Sequence, residues 1–143
     1  ITALQPTFDR CTASEAMLVQ PFQPEITTRG ELSLIVIAGQ TTHAIRKTAK
    51  AGDFRVQDDH GGTVHPYEPT ADEITFAEKA VAACPMAPLY ARVDFVVTPD
   101  GPRLMELELI EPELFFRFCP SSAERLADAL AAELNGVAPS PTA

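Results

Sequence analysis

Apolar and polar side chains alternate on both sides of one tight turn, Thr98-Pro99-Asp100-Gly101-Pro102, and that alternation constrains the fold more than any other feature of the chain. Residues 89–97 and 103–110 read as the strands of a hairpin. The pairing dictated by the turn sets Asp94 opposite Glu106 and Arg92 opposite Glu108. Period-two geometry then collects these four charged groups on one face and Val93, Phe95, Met105, Leu107 and Leu109 on the other. Like charges directly opposite one another destabilise a sheet. An acidic face of this kind needs water, a base or a cation to hold it together, and a hard divalent cation bridging to phosphates would do so. The plainer alternative is a solvated face with a single Arg92–Glu108 ion pair.

The balance of the chain excludes several settings. Its 143 residues suit one compact domain or one part of a larger protein, and the apolar fraction is ample for a core. A net charge of −9 and the lack of a dense Lys/Arg stripe argue against a nucleic-acid surface. No apolar run approaches membrane-spanning length, which predicts a soluble protein with no membrane partner. Ile1 is not an initiator and residues 2–10 do not read as a signal peptide, so the chain is expected to begin mid-protein. Cys11, Cys84 and Cys119 are odd in number and have no metal-ligand spacing, which points to a reducing, cytoplasmic compartment.

Strands and helices alternate along the chain. Residues 1–16 show little periodicity and read as the remnant of a preceding element. Residues 17–22 read as a strand ended by Pro21 and Pro24, followed by strands over 31–38 and 42–47, the three forming an antiparallel sheet. Residues 51–67 read as a long loop. Thr70 and Glu73 have the spacing of a capping box, opening a helix with Ile74, Ala77, Ala80 and Val81 on one stripe and an end near Cys84-Pro85. After the hairpin, Ser121 or Ser122 is expected to cap a last helix running to Leu134, with Leu126, Leu130 and Leu134 at helical spacing. Residues 137–143 read as a disordered tail. The fold class is therefore α+β, a mostly antiparallel sheet with helices packed on one face.

Against the acidic background, Arg46, Lys47, Lys50 and Arg55 fall in one short stretch followed by Gly61-Gly62. Such a cluster suits a small polyanion such as nucleotide phosphates, although a loop balancing nearby acids is the bland reading. Of the three histidines, His43 and His65 read as structural or solvated. His60 is the only candidate base.

The segments "LVQPF", "RGELSLIVIAG", "GDFR", Gly61-Gly62, "ARVDF" and "LMELELIEP", in that order, give the chain a resemblance to a known family. It resembles the C-terminal part of an ATP-grasp ligase, most similar to the glutathione synthetase and ribosomal-protein-S6 modification branch, with a final hairpin like that of D-alanine–D-alanine ligase. The resemblance covers residues 17–134 and implies a C-terminal ATP-grasp subdomain over 17–136, preceded in family members by further domains. The chain is accordingly expected to be a fragment, weak in nucleotide binding and inactive alone.

By this resemblance Asp94, Glu106 and Glu108 would hold Mg²⁺ (or Mn²⁺) on ATP, with Glu108 standing where many relatives have Asn. Gln20 and Phe22 fall in the linker that contacts adenine. Glu25 or, better, Glu31 would hold the ribose hydroxyls. Lys47 and Arg55 would reach the phosphates, with Gln57 beside them, and Arg55 would clamp the transition state. Arg92 resembles the arginine that steadies the oxyanion of a tetrahedral intermediate. The implied reaction joins a small-molecule carboxylate to an amine through an acylphosphate. Residues 110–116 depart from the family where the acceptor site is shaped, so the substrates stay open. The alternative is a non-catalytic module that keeps the fold for binding or assembly. An apolar surface left by missing parts would favour homo-oligomers.

Overall fold

The computed structural model describes residues 2–56 and 61–136. Five strands form one fully antiparallel sheet: β1 (Glu31–Ile37), β2 (Gln40–Thr48), β3 (Thr63–Tyr67), β4 (Tyr90–Thr98) and β5 (Gly101–Glu108), in the order β3-β2-β1-β4-β5. The α-helices among the described residues are α1 (Gln5–Thr12), α2 (Glu25–Thr28), α3 (Ala71–Ala82) and α4 (Ser121–Leu134). Among the described residues no helix is long and apolar enough to cross a membrane.

β1 is central, and every one of its residues is buried. Its even positions Leu32, Leu34 and Val36 pack with Val93 and Phe95 under Ala77 and Val81 of α3. The Thr70–Glu73 capping box forms in full at the start of that helix, and Glu73 also accepts from the Tyr67 hydroxyl. The odd positions face the other way. Ile35 and Ile37 pack with Ile45, Leu114, Phe115 and Ala129 of α4 at one end of that face. Ile26, Val56 and Val96 form a smaller apolar cluster at the other end. Glu31, Ser33, Asp94 and Arg92 lie between, so a polar strip divides two apolar clusters on one sheet face.

The antiparallel α+β fold is as expected, with several elements corrected. The helices are divided between faces, because α4 reaches across the end of the sheet opposite α3. Residues 17–22 are not a strand and lie largely exposed outside the sheet. The third strand beside β1 and β2 is β3, from the stretch expected to be loop; Pro66 is tolerated because β3 is an edge. Residues 5–12 are helical, and α1 buries no residue. α4 begins after Pro120 without a side-chain cap, since the Ser122 hydroxyl donates to the Cys119 carbonyl at 2.6 Å. Its buried positions are Ser122 and Ala129, whereas Leu130 and Leu134 are exposed. Residues 137–143 lie outside the described residues.

Candidate active site

The hairpin pairs Arg92 with Glu108 and Asp94 with Glu106, as expected. A β-bulge follows at once: Phe95 pairs with Leu104, leaving Met105 as the extra residue. Met105 therefore packs with the cluster of Ile26, Val56 and Val96 instead of sharing the face of Val93 and Phe95. Bulges re-aim side chains beside functional clefts. Here Met105, Glu106 and Leu107 all line one groove.

Asp94 is completely buried, and its neighbours explain how a carboxylate can be. The Arg92 Nε donates to both of its oxygens at 3.1 and 3.0 Å, and Nη2 donates to Oδ2 at 2.8 Å. Lys47 Nζ lies 3.2 Å from the same oxygen and 2.6 Å from Glu31. Arg92 Nη2 also donates to Glu108 and lies 3.9 Å from Glu106. Carboxylate oxygens of Asp94, Glu106 and Glu108 fall within 4.8 Å of one another.

Four carboxylates thus share two cations, leaving an excess of two negative charges. Burial pushes the Glu108 carboxyl above its ordinary value; Arg92 opposes that rise, while Glu106 and Asp94 add to it. Glu31 is likewise pushed up by burial, against the pull of Lys47. Arg92 stays cationic: burial opposes its charge, but the bonds to Asp94 and the Glu108 and Glu106 charges outweigh it and raise its pKa. Clustered oxygen donors with uncompensated negative charge fit a hard divalent cation. The Ser33 hydroxyl, directly opposite Asp94 on β1 and fully buried, has no hydrogen-bond partner among the described residues.

Beside this cluster runs a groove of about 650 Å³. Gln20, Phe22, Glu31, Arg55 and Glu106 all line it, with Ile26, Val56 and Met105 supplying its apolar floor. Phe22 meets Phe54 edge to face at 5.9 Å. Arg55 is exposed and ion-paired to Asp53 at 2.6 Å, a pairing that holds Asp53 well below the usual carboxylate range.

Most of the candidate residues thus converge, and some do not. Glu25 begins α2 and is not among the groove-lining residues. Gln57 and His60 lie outside the described residues. The basic cluster does not act as one patch: Arg46 stacks on Tyr67, 4.4 Å from the ring centre, on the face opposite Lys47. Lys47 itself is buried and paired. Ser33 and Asp53 have no functional expectation from the sequence, and Met105, expected on the apolar face of the hairpin, lines the groove instead. Of these only Asp53, two residues before Arg55 and able to bond it locally, leaves a readable signal.

The profile of the RimK-like ATP-grasp domain matches residues 3–112. The cycloserine biosynthesis protein DcsG of Streptomyces lavendulae is 34% identical, with the match covering 83% of this chain and 42% of that protein. The crystal structure of D-cycloserine synthetase DcsG superposes with a TM-score of 0.69 at 31% identity, over 80% of this chain and 41% of that one. D-Alanine–D-alanine ligase from Bacillus anthracis, in its complex with ATP, shares the fold at a TM-score of 0.51 and 22% identity, over 73% of this chain and 38% of that one. The chain spans about two fifths of the length of these relatives.

Proposed function

The chain belongs to the RimK-like ATP-grasp family, and on that premise we propose that it forms the metal- and phosphate-binding half of an ATP-dependent ligase that joins a carboxylate to an amine. One observation carries the reading: an acidic triad short of positive charge, with an arginine in its midst, stands at the edge of a groove that also holds Glu31, Arg55 and Phe22. Asp94, Glu106 and Glu108 would hold Mg²⁺, which when bound neutralises nucleotide phosphates.

The remaining steps belong to the protein's own side chains. Phe22 and the apolar floor take the adenine, and Glu31, at the groove wall, accepts from ribose hydroxyls. Lys47 holds Glu31 and Asp94 at a fixed spacing. Arg55 is exposed and turns from Asp53 to the phosphates as the substrate carboxylate attacks the γ-phosphorus in line. The acylphosphate so formed is attacked at carbon by the amine. Arg92, held cationic by Asp94 and Glu108, faces the developing oxyanion, and phosphate leaves.

Calorimetric titration of ATP with Mg²⁺ into the protein carrying this chain tests the site. Phosphate release over a panel of D- and L-amino acids, with hydroxylamine as amine, tests the chemistry. D-Cycloserine formation, the activity named for the relative, belongs in the same screen. Magnesium-dependent binding that weakens at least tenfold in Glu106→Gln is the expected result. Nucleotide binding without phosphate release on any carboxylate would favour a module that keeps the fold for binding alone.

A further inference from the structure

His43, Ile35, Arg92 and Glu108 lie in one row across four strands, paired in register from β2 through β1 and β4 to β5. His43 and Arg92 therefore flank Ile35 on the same sheet face, two strand spacings apart, about 10 Å. Residues 113–115 bridge the gap above Ile35. The Leu114 carbonyl accepts from His43 Nε2 at 2.9 Å, and the adjacent Glu113 carbonyl accepts from Arg92 Nη1 at 3.5 Å. Leu114 and Phe115 are buried against Ile35, with the Phe115 ring centre 5.9 Å from the Arg92 guanidinium carbon.

This bridge is not a relaxed backbone. Glu111 and Phe115 both have positive φ, 47° and 50°, a left-handed conformation that costs a residue with a side chain on the order of 1–2 kcal/mol. Such a conformation persists only where surrounding contacts fix it. Among the described residues, the long-range polar contacts to its carbonyls come from His43 and Arg92.

The ring of His43 is itself oriented. A carbonyl can only accept, so Nε2 carries the proton, while Nδ1 lies 3.0 Å from the Thr42 hydroxyl oxygen. Thr42 is the extra residue of a bulge between β1 and β2, and its hydroxyl also lies 3.2 Å from the Ile35 carbonyl. A bulge and a neighbouring hydroxyl thus hold the ring so that its Nε2–H is aimed at the segment that braces Arg92.

The geometry points to His43 as a positioning residue for the acyl-transfer step, which sets the Arg92 guanidinium through the neighbouring carbonyls of Leu114 and Glu113. The inference rests on the role proposed above for Arg92. It assigns a task to a histidine that neither the metal cluster nor the nucleotide groove uses.

The test compares His43→Leu, His43→Gln and Thr42→Val in the protein carrying this chain. Arginine modification by phenylglyoxal, followed at Arg92 by peptide mass spectrometry, needs no substrate. His43→Leu is expected to speed modification of Arg92 at least fivefold. The kcat for phosphate release, with hydroxylamine and the best amino acid of the panel, should fall about tenfold while KM for ATP stays within twofold. His43→Gln, which keeps an N–H donor, should stay within threefold of the parent. Thr42→Val removes the neighbour of Nδ1 and one hydroxyl contact to the Ile35 carbonyl while keeping the shape of the side chain, and should give an intermediate rise in Arg92 reactivity even where His43→Leu fails to fold. Unchanged Arg92 reactivity in both Thr42→Val and His43→Leu, or a Gln variant that behaves as Leu does, overturns the inference. Arg92→Lys separates the two readings: if it leaves phosphate release intact, the role of Arg92 fails; if it abolishes release while His43→Leu does not, only the role of His43 fails.

Discussion

Asp94 and Glu106 face one another across the hairpin, yet the protein should feel their loss differently. Asp94 is wholly buried between Arg92 and Lys47, so Asp94→Ala leaves two buried cations without their shared partner. Breaking a buried pair on one side costs roughly 3–5 kcal/mol, and thermal or urea unfolding should register a loss of that order. The Glu106 side chain is 60% exposed, so Glu106→Gln should change stability by no more than about 0.5 kcal/mol while weakening magnesium-dependent ATP binding. Glu106 is therefore the clean probe of the metal site, since Asp94 confounds binding with folding. The sign of the pH dependence at His43 also follows from its surroundings. Burial pushes its pKa below 6.5, against the bonds to the Leu114 and Phe115 carbonyls, so the unfolded chain binds the proton more readily. Its contribution is complete above the unfolded value and is lost as pH falls from there through the folded one. Glu31 and Glu108, pushed up by burial, act in the opposite sense: their contribution is present below 4.5 and is lost as pH rises through their folded values. Urea midpoints from about pH 8 down to about pH 5 should show the parent losing stability relative to His43→Gln as pH drops through 6.5.

At the scale of elements, the join between α2 and β1 has the least room for change. Gly30 has φ +76°, and a Cβ placed there would come within 2.3 Å of the Lys47 carbonyl oxygen. Gly30→Ala should cost on the order of 2 kcal/mol or more, because it combines left-handed strain with a backbone clash. It would also part β1 from β2 where Glu31 meets Lys47, so weaker nucleotide binding should accompany the lower unfolding midpoint. Elements defined by local chemistry were legible in sequence. The Thr70–Glu73 box fixes the start of α3 through its own two side chains, and the turn at Pro99-Asp100 fixes the hairpin register as far as Phe95 and Leu104, beyond which the bulge at Met105 resets it. Elements defined by a neighbour were not. β3 carries Pro66 and few apolar residues, and is a strand because the edge of β2 offers it partners. Residues 17–22 have strand-like composition but pair with neither edge of the sheet, and lie exposed instead. Leu130 and Leu134 keep the helical spacing, yet α4 turns Ser122 and Ala129 inward because the surface beneath it is already filled by Ile35, Ile37 and Phe115.

The whole molecule leaves a band of apolar side chains uncovered beside its groove, with Leu18, Val19, Phe22 and Phe54 all more than half exposed. This chain produced alone should self-associate reversibly, which sedimentation over a range of concentrations would detect. ATP with Mg²⁺ at about a hundredfold excess over Kd should stabilise it by about 2.7 kcal/mol and displace an apolar dye from the groove. A rise in melting temperature with ATP but no dependence on the divalent cation would contradict the metal assignment. The order of segments along the chain fixed the family and the antiparallel hairpin, and strand periodicity put Arg92 with Asp94 on one face of β4 and Glu106 with Glu108 on one face of β5; the bulge at Met105 brings those two pairs to the same side. Only the tertiary structure decided that Lys47 lies between Glu31 and Asp94, that Arg46 turns away, that Met105 is bulged into the groove, and that His43 and Arg92 hold one strained segment between them. Each of these depends on which strands become neighbours and in what register, and that is set by packing across the whole sheet, where local pattern has no say.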